Sequence, residues 1–309
     1  MKLMLVLLFL ISGCSRVINR NNPYPGYCTE EPGSGWINIR YSDVAATPDG
    51  GRIFFSYAGH GSVLNDTPGV YVYMVEEDSF YAFMQTGWYQ ALPGMMEVSP
   101  DGEWIVFSWG KQIWKVRVNG DSLTQLTFSG ENFYPRWSPD GRKIVFHVPL
   151  GDSAGIWIIN SDGSNKHNIG QWGWNYPDWS PDGGHLIFVD WESNHPVIAY
   201  ADTLGEGYRI LLRGEELDII QIDGLAYSPD GSKILFVGQR PGEGPMVWVM
   251  DADGSNPVPL ANGWMPTWYG GNRVLYTNTS NGSIYVMDSN GCNKTPFIGD
   301  FNFLEGGAR

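Results

Sequence analysis

Positive charge, cysteine and long apolar runs are all scarce in this sequence. Its 309 residues carry 19 Lys and Arg against 33 Asp and Glu, a net charge of −14. No run of Lys or Arg occurs. That speaks against a nucleic-acid partner, because phosphate binding depends on clustered cations. The same acidity keeps the folded body off an anionic lipid surface. CxxC, HExxH, GxSxG, P-loop and GxGxxG patterns are absent, so no local motif marks a metal, a nucleophile or a nucleotide. No apolar stretch keeps a 3.6-residue period over two turns, which excludes helical repeats. The apolar run at the start, LMLVLLFLI (Leu3–Ile11), is too short to span a bilayer.

Glycine and aromatics are abundant, with 40 Gly and 14 Trp. That suits many short strands joined by tight turns. The window YPDWSPDGGHLIFVDW (Tyr176–Trp191) gathers Asp178, Ser180, Asp182, His185 and Asp190. Serine, histidine and aspartate are the parts of a nucleophilic triad. The window recurs, however, as ATPDGGRIFF (Ala46–Phe55), VSPDGEWIVF (Val98–Phe107), WSPDGRKIVF (Trp137–Phe146) and YSPDGSKILF (Tyr227–Phe236). WYGGNRVLY (Trp268–Tyr276) is a shortened sixth copy. His185 belongs to one copy only. A nucleophile has no reason to recur, whereas a turn does. Proline presets φ, aspartate suits the next position, and glycine takes the left-handed conformation.

A second pattern runs in phase, as in IWIINSDGSNKHNI (Ile156–Ile169) and VWVMDADGSNPVPL (Val247–Leu260). Each is a strand, a polar turn and another strand. Steps of 52, 39, 42 and 48 residues separate Asp49, Asp101, Asp140, Asp182 and Asp230. These match propeller blades of roughly 40–45 residues with loop insertions. The expected fold is all-β: a six-bladed β-propeller of four-stranded blades, its ring closed by joining N- and C-terminal strands. The WSPDGxxIxF…IWVMDxDGSN pattern resembles the WD40-like (PD40) repeat of TolB-type propellers. The resemblance covers most of Ala46–Phe297 and implies a binding role among envelope proteins.

The stretch ISGC (Ile11–Cys14) resembles the bacterial lipoprotein signal. The resemblance implies cleavage before Cys14 and lipid on that residue, and Ser15 after it implies the outer membrane, periplasmic side. An ordinary secretory signal is the alternative. The expected division is a signal at 1–13, a lipidated tether at 14–34 and one propeller at 35–309. Cys28 and Cys292 are left as a pair for an oxidising compartment. A disulfide between them would tie the two ends together.

Propeller function sits on loops at one end of the channel. Trp36, Trp88, Trp174 and Trp264 each follow a glycine in a loop leading into an innermost strand, and Tyr134 occupies another such loop. Two readings are open: packing between blades, or a docking surface, since Trp and Tyr are enriched at binding hot spots. Trp137, Trp179 and Trp268 are assigned to the core. The fifth lead-in loop, Arg213–Gly224, is acidic instead. Its Glu215, Glu216 and Asp218, with Glu131, would select a basic partner patch. His60, His147 and His195 are placed in loops between middle strands, where a metal is a weak alternative. His167 and His185 are read as solvated. The favoured function is a lipid-anchored envelope scaffold binding a protein, without cofactor or catalysis. The rivals are a polysaccharide-binding module and a metal-assisted polysaccharide-degrading enzyme at the channel mouth.

Overall fold

The computed structural model describes residues 41–57, 68–85, 92–151, 154–170, 175–280 and 282–297. Strands β1 (Tyr41–Ala46), β2 (Arg52–Tyr57), β3 (Gly69–Met74) and β4 (Ser79–Gln85) form the first antiparallel sheet in chain order. The second contains β5 (Gly94–Val98), β6 (Trp104–Trp109), β7 (Gln112–Arg117) and β8 (Thr124–Gln125). The third contains β9 (Phe133–Trp137), β10 (Lys143–Val148), β11 (Gly155–Asn160) and β12 (His167–Gly170). The fourth contains β13 (Asn175–Trp179), β14 (His185–Glu192), β15 (His195–Asp202) and β16 (Arg209–Arg213).

The remaining strands are β17 (Gln221–Tyr227), β18 (Lys233–Gln239), β19 (Pro245–Asp251), β20 (Val258–Tyr269), β21 (Arg273–Asn278), β22 (Ile284–Asp288) and β23 (Thr295–Pro296). They make one seven-stranded sheet. Its 12-residue β20 does two jobs. Val258–Asn262 pairs with β19, and Gly263–Tyr269 pairs with β21. The chain passes from one four-stranded unit to the next without a loop. A single 3-10 turn, Gly214–Leu217, is the one helical element among the described residues.

The second strands are buried almost from end to end, as in KIVFHV of β10 and KILFVGQ of β18. Sheets covered on both faces need such continuous apolar runs rather than alternation. Hydrophobic clusters lie between successive sheets. Ala45 and Phe54 meet Met96 and Phe107 across the first and second. Val106 and Ile113 meet Trp137 and Phe146 across the second and third. The series continues to the two halves of the seven-stranded sheet, where Leu235 and Val247 meet Val274 and Tyr276. A last cluster joins Val44, Ile53 and Phe55 of the first sheet to Tyr269, Leu275 and Ile284. The first and last sheets thus meet through side chains. Among the described residues no N-terminal strand pairs with a C-terminal one.

The Pro-Asp-Gly windows are turns with one repeated bond set. The hydroxyl of Thr47, Ser99, Ser138, Ser180 or Ser228 donates to the aspartate two residues on, at 2.5–2.6 Å. That carboxylate accepts a backbone N–H two residues further, at 2.9–3.1 Å. The hydroxyl oxygen accepts the N–H five residues ahead, at 2.9–3.0 Å. Ser180, Asp182 and His185 are therefore a turn, which His185 joins through its backbone N–H to Ser180, with its Nδ1 3.8 Å from Asp182. Its ring stacks on Tyr200, centroids 4.6 Å apart. The turn glycines hold φ of 68° to 74°, which only glycine adopts freely. Each turn also touches the next: a Cβ on Gly102, Gly141, Gly183 or Gly231 would lie 3.6–3.9 Å from the proline of the preceding copy. The shortened copy offers Tyr269 instead. Its ring lies 3.1 Å from where a Gly50 Cβ would be, and its hydroxyl donates to the Gly50 carbonyl at 3.1 Å. The irregular copy is the one that meets the first turn.

Candidate functional site

A cavity of about 190 Å3 lies among the first strands of all the four-stranded units. It is bordered by Asp43 of β1, Glu97 of β5, Tyr134 and Arg136 of β9, Tyr176 and Asp178 of β13, Gly224 of β17 and Met265 of β20. Each of these strands carries a register shift, and Met95, Tyr134, Tyr176, Gly224 and Met265 sit at positive φ between 51° and 60°. Bulges re-aim side chains. Here they turn side chains of the first strands toward the cavity. Four of the five residues are bulky, and αL backbone is costly for a bulky side chain.

The cavity holds three carboxyl groups against one guanidinium. Asp43 accepts the Val44 N–H at 3.0 Å and reaches the next sheet to accept the Met96 N–H at 2.8 Å. Glu97 accepts the Trp137 N–H of the third sheet. Asp178 accepts the Tyr227 N–H at 2.8 Å. Each carboxylate therefore clips its own sheet to the following one. Burial pushes Asp43 up to about 6, although Met96 and Arg136 pull it down. Burial also raises Glu97 and Asp178, with Arg136 opposing it in both cases. The charge of Asp178 raises Glu97 further. One arginine does not offset three desolvated carboxyls.

Beside them the rings of Tyr134 and Tyr176 meet at a centroid distance of 4.1 Å, and the Tyr134 hydroxyl donates to that of Tyr176 at 3.2 Å. Tyr176 in turn bonds Asp223, which also accepts Gln221 Nε2 at 2.6 Å. Burial raises Asp223. This chain of polar groups crosses three successive sheets.

Several expected positions change. Tyr134 lies in β9, not in a loop, because the bulge begins the strand earlier than its sequence suggests. Trp264 lies within the continuous β20, half-buried and paired with Thr277. Gly263 precedes it because a Cβ there would come within 2.6 Å of the Tyr276 ring. Trp36, Trp88 and Trp174 fall outside the described residues. Trp137 and Trp179 are buried as expected; Trp179 donates to the Arg136 carbonyl of the preceding sheet at 3.2 Å, and Trp268 to the Ala226 carbonyl of β17 at 3.1 Å.

His147 is not in a loop: it is buried in β10, opposite Ile156 and Phe133. His195 begins β15, with Nδ1 3.6 Å from Glu215 Oε2. The strands simply run further than the apolar pattern suggests. His60 lies outside the described residues. Among the described residues no group of three His, Cys, Asp or Glu is arranged to hold a metal. His147 and His195 belong to different sheets. Cys292, in the turn after β22, is disulfide-bonded. Cys14 and Cys28 lie outside the described residues.

The carboxyl–arginine cluster and Tyr176 were not singled out from the sequence. One signal was present. A charged residue stands immediately before the last strand residue in EVSPDG, RWSPDG and DWSPDG, where an apolar one would serve packing.

No protein-family model matches the chain. A 47-residue segment is 40% identical to Tol-Pal system protein TolB of Campylobacter jejuni, covering 15% of this chain and 12% of that protein. An 86-residue segment is 34% identical to an uncharacterized protein of Agrobacterium fabrum, covering 24% of this chain and 29% of the relative. The chain thus spans less than a third of the curated relatives it matches. Among solved structures it is similar to a putative TolB from Agrobacterium tumefaciens (TM-score 0.62, 21% identity, 72% of this chain and 85% of that one). It is also similar to TolB from Acinetobacter baumannii (TM-score 0.58, 19% identity, 72% and 54%). Oligogalacturonate lyase in complex with manganese shares the architecture more distantly (TM-score 0.53, 13% identity, 81% and 88%). The fold is that of a β-propeller of the TolB type.

Proposed function

We propose that this chain is a cell-envelope binding protein. In this reading it is a six-bladed ring, with β20 serving blades five and six, and it recognises another protein at the channel mouth. The single observation that carries the proposal is the axial cavity, which presents three carboxyls to one arginine beside a tyrosine pair. Such a site favours a cationic partner group and adds steering by charge. The structural likeness to TolB proteins supports the envelope setting. Lipid on Cys14 would anchor residues 35–309 through the tether at 14–34, after removal of 1–13, on the periplasmic side of an outer membrane. Cys28 is the proposed partner of Cys292, since Cys14 is committed to lipid.

The likeness to a manganese-bound lyase favours a second reading, polysaccharide binding or cleavage. Charge weighs against it for acidic glycans, which the cavity carboxylates would repel without a bridging cation. Manganese content after dialysis and retention on neutral and acidic polysaccharides test that reading directly.

The main test is capture from crosslinked envelope extract. Residues Ser15–Arg309 serve as bait beside Glu97→Gln/Asp178→Asn and Trp88→Ala/Trp174→Ala/Trp264→Ala. The reading expects one protein species held by the parent and lost by the first variant, while that variant still unfolds cooperatively and is no less stable than the parent. Equal capture by all three baits would overturn the cavity as the site, and retention of a polysaccharide with no captured protein would move the function to glycan.

A further inference from the structure

We propose a second contact zone on the same end of the molecule, a lobe on the fourth and fifth sheets that docks a basic, apolar-bearing polypeptide segment. The proposal deepens the protein-binding reading and rests on it. Three segments build the lobe: the β14–β15 tip, the Arg213–Ile220 turn and the β18–β19 tip. Glu192 Oε2 accepts Arg213 Nε at 2.8 Å, joining the first two. Gly214 is buried against Pro196, whose carbonyl oxygen a Cβ there would approach to 2.8 Å. Arg240 Nε donates to the Leu217 carbonyl and the Ile220 N–H to the Gln239 carbonyl, both at 2.9 Å, joining the third. Behind them Ile219 packs into the core with Trp248. The lobe is therefore a fixed platform, not a free loop.

On it two large apolar side chains face solvent, Trp191 at 44% and Ile220 at 51% exposure. Tryptophan on a fixed surface is a common anchor of protein contacts. Ile220 also continues into Gln221 and Asp223, which bond to each other and lead to Tyr176 at the cavity. The lobe and the cavity are thus parts of one face.

Charge names the occupant. Glu192, Glu215, Glu216, Asp218 and Glu243 lie on the same three segments as the two apolar residues, while Arg213 and Arg240 are already engaged with Glu192 and a carbonyl. Nucleic acid and anionic lipid are repelled by this surface. A polypeptide with lysines or arginines flanking an apolar residue is attracted, and its apolar residue covers Trp191 and Ile220.

The test uses Ser15–Arg309 and three fluorescein-labelled 12-residue peptides: one of Lys, Leu and Trp, one with Lys replaced by Glu, and one with Leu and Trp replaced by Ser. Fluorescence anisotropy at 50 and 300 mM NaCl should show binding of the first peptide alone, weakened at high salt. Glu215→Gln/Glu216→Gln/Asp218→Asn should weaken it at least tenfold, and Trp191→Ser/Ile220→Ser about as much. Asp162→Asn/Asp253→Asn, with charges removed from the opposite end, should change it less than twofold. Equal weakening by the two charge variants would show general electrostatics and overturn the lobe. So would binding of the Ser-substituted peptide as strongly as the first. Self-association of the parent, lost in the lobe variants without any peptide binding, would make a second copy the occupant and likewise overturn the proposal. Loss of peptide binding in the lobe variants with normal peptide binding by Glu97→Gln/Asp178→Asn would separate failure of the cavity from success of the lobe.

Discussion

Two sets of carboxylates in this protein do opposite things with the same chemistry. The turn aspartates Asp49, Asp101, Asp140, Asp182 and Asp230 accept a hydroxyl and a backbone N–H at the surface, and all are held below the usual carboxylate range. Asp230 falls to about 2, led by its bond from Ser228. Asp43, Glu97 and Asp178 also accept backbone N–H groups, yet all are raised. The difference is solvation. At the surface, hydrogen bonds decide the ionisation; in the cavity, desolvation outweighs them. The first set recurs because every copy needs its turn. The second varies from copy to copy, with Ala45, Glu97, Arg136, Asp178, Ala226 and Thr267 at matching places and Asp43 two residues before the first of them. Recurrence belongs to the scaffold and variation to the site.

The contrast gives stability a definite pH dependence. The cavity carboxyls are raised on folding, so their contribution is best at low pH and declines as pH rises from the unfolded value through the folded one. For Asp43 that window runs from 3.8 to about 6. The turn aspartates are depressed, so they stabilise above 3.8 and lose their contribution as pH falls through their folded values. Stability should peak near pH 3.8, where the two windows meet.

The largest expected effect comes from Arg136→Met, which strips the cavity of its cation. Urea unfolding at pH 8 should show a loss of about 3 kcal/mol, the scale for leaving buried carboxylates without their compensating cation. At pH 5, where protonation relieves the carboxyls, the loss should be smaller; equal losses at both would refute the electrostatic account of this cluster. Next is Glu97→Gln/Asp178→Asn, which keeps an acceptor for each backbone N–H and removes the charge. It should stabilise the protein by roughly 1–2 kcal/mol at pH 8 and flatten the slope between pH 4 and 8. A variant melting like the parent across that range would break the comparison. Ser138→Ala, in a turn, should cost about 1 kcal/mol, the net worth of a hydrogen bond, and equally at pH 5 and 8. Comparable in size is Gly102→Ala, at φ 74°. It should cost about 1 kcal/mol, the low end of the left-handed penalty for an L side chain, with no pH dependence. A melt series resolves both.

Most of the scaffold was legible in the sequence because repetition multiplies a weak local signal. Five Pro-Asp-Gly turns predict five hairpins, and the structure returns five with one bond set. The cavity was less legible for two reasons. Its bulges carry Tyr134, Tyr176, Met95 and Met265 at positive φ, where glycine or asparagine would have announced a bend. Its charges come from different copies, so no single window shows more than one of them. Asp178 stood inside the window first suspected of catalysis, among residues that proved to be a turn. It reaches the cavity together with Tyr176, the first residue of the same window. His147 was misplaced because β10 extends through it, and nothing in KIVFHV marks where the strand stops.

The most direct test pits the two sets of carboxylates against each other in partner capture. Glu97→Gln/Asp178→Asn and Asp140→Asn/Asp182→Asn remove the same number of charges, from the cavity and from the turns. With Ser15–Arg309 as parent bait in crosslinked envelope extract, the account predicts that the cavity variant loses its protein and the turn variant keeps it. Capture retained by the cavity variant, or lost equally by both, would contradict the claim that the axial cavity is where this propeller recognises its partner.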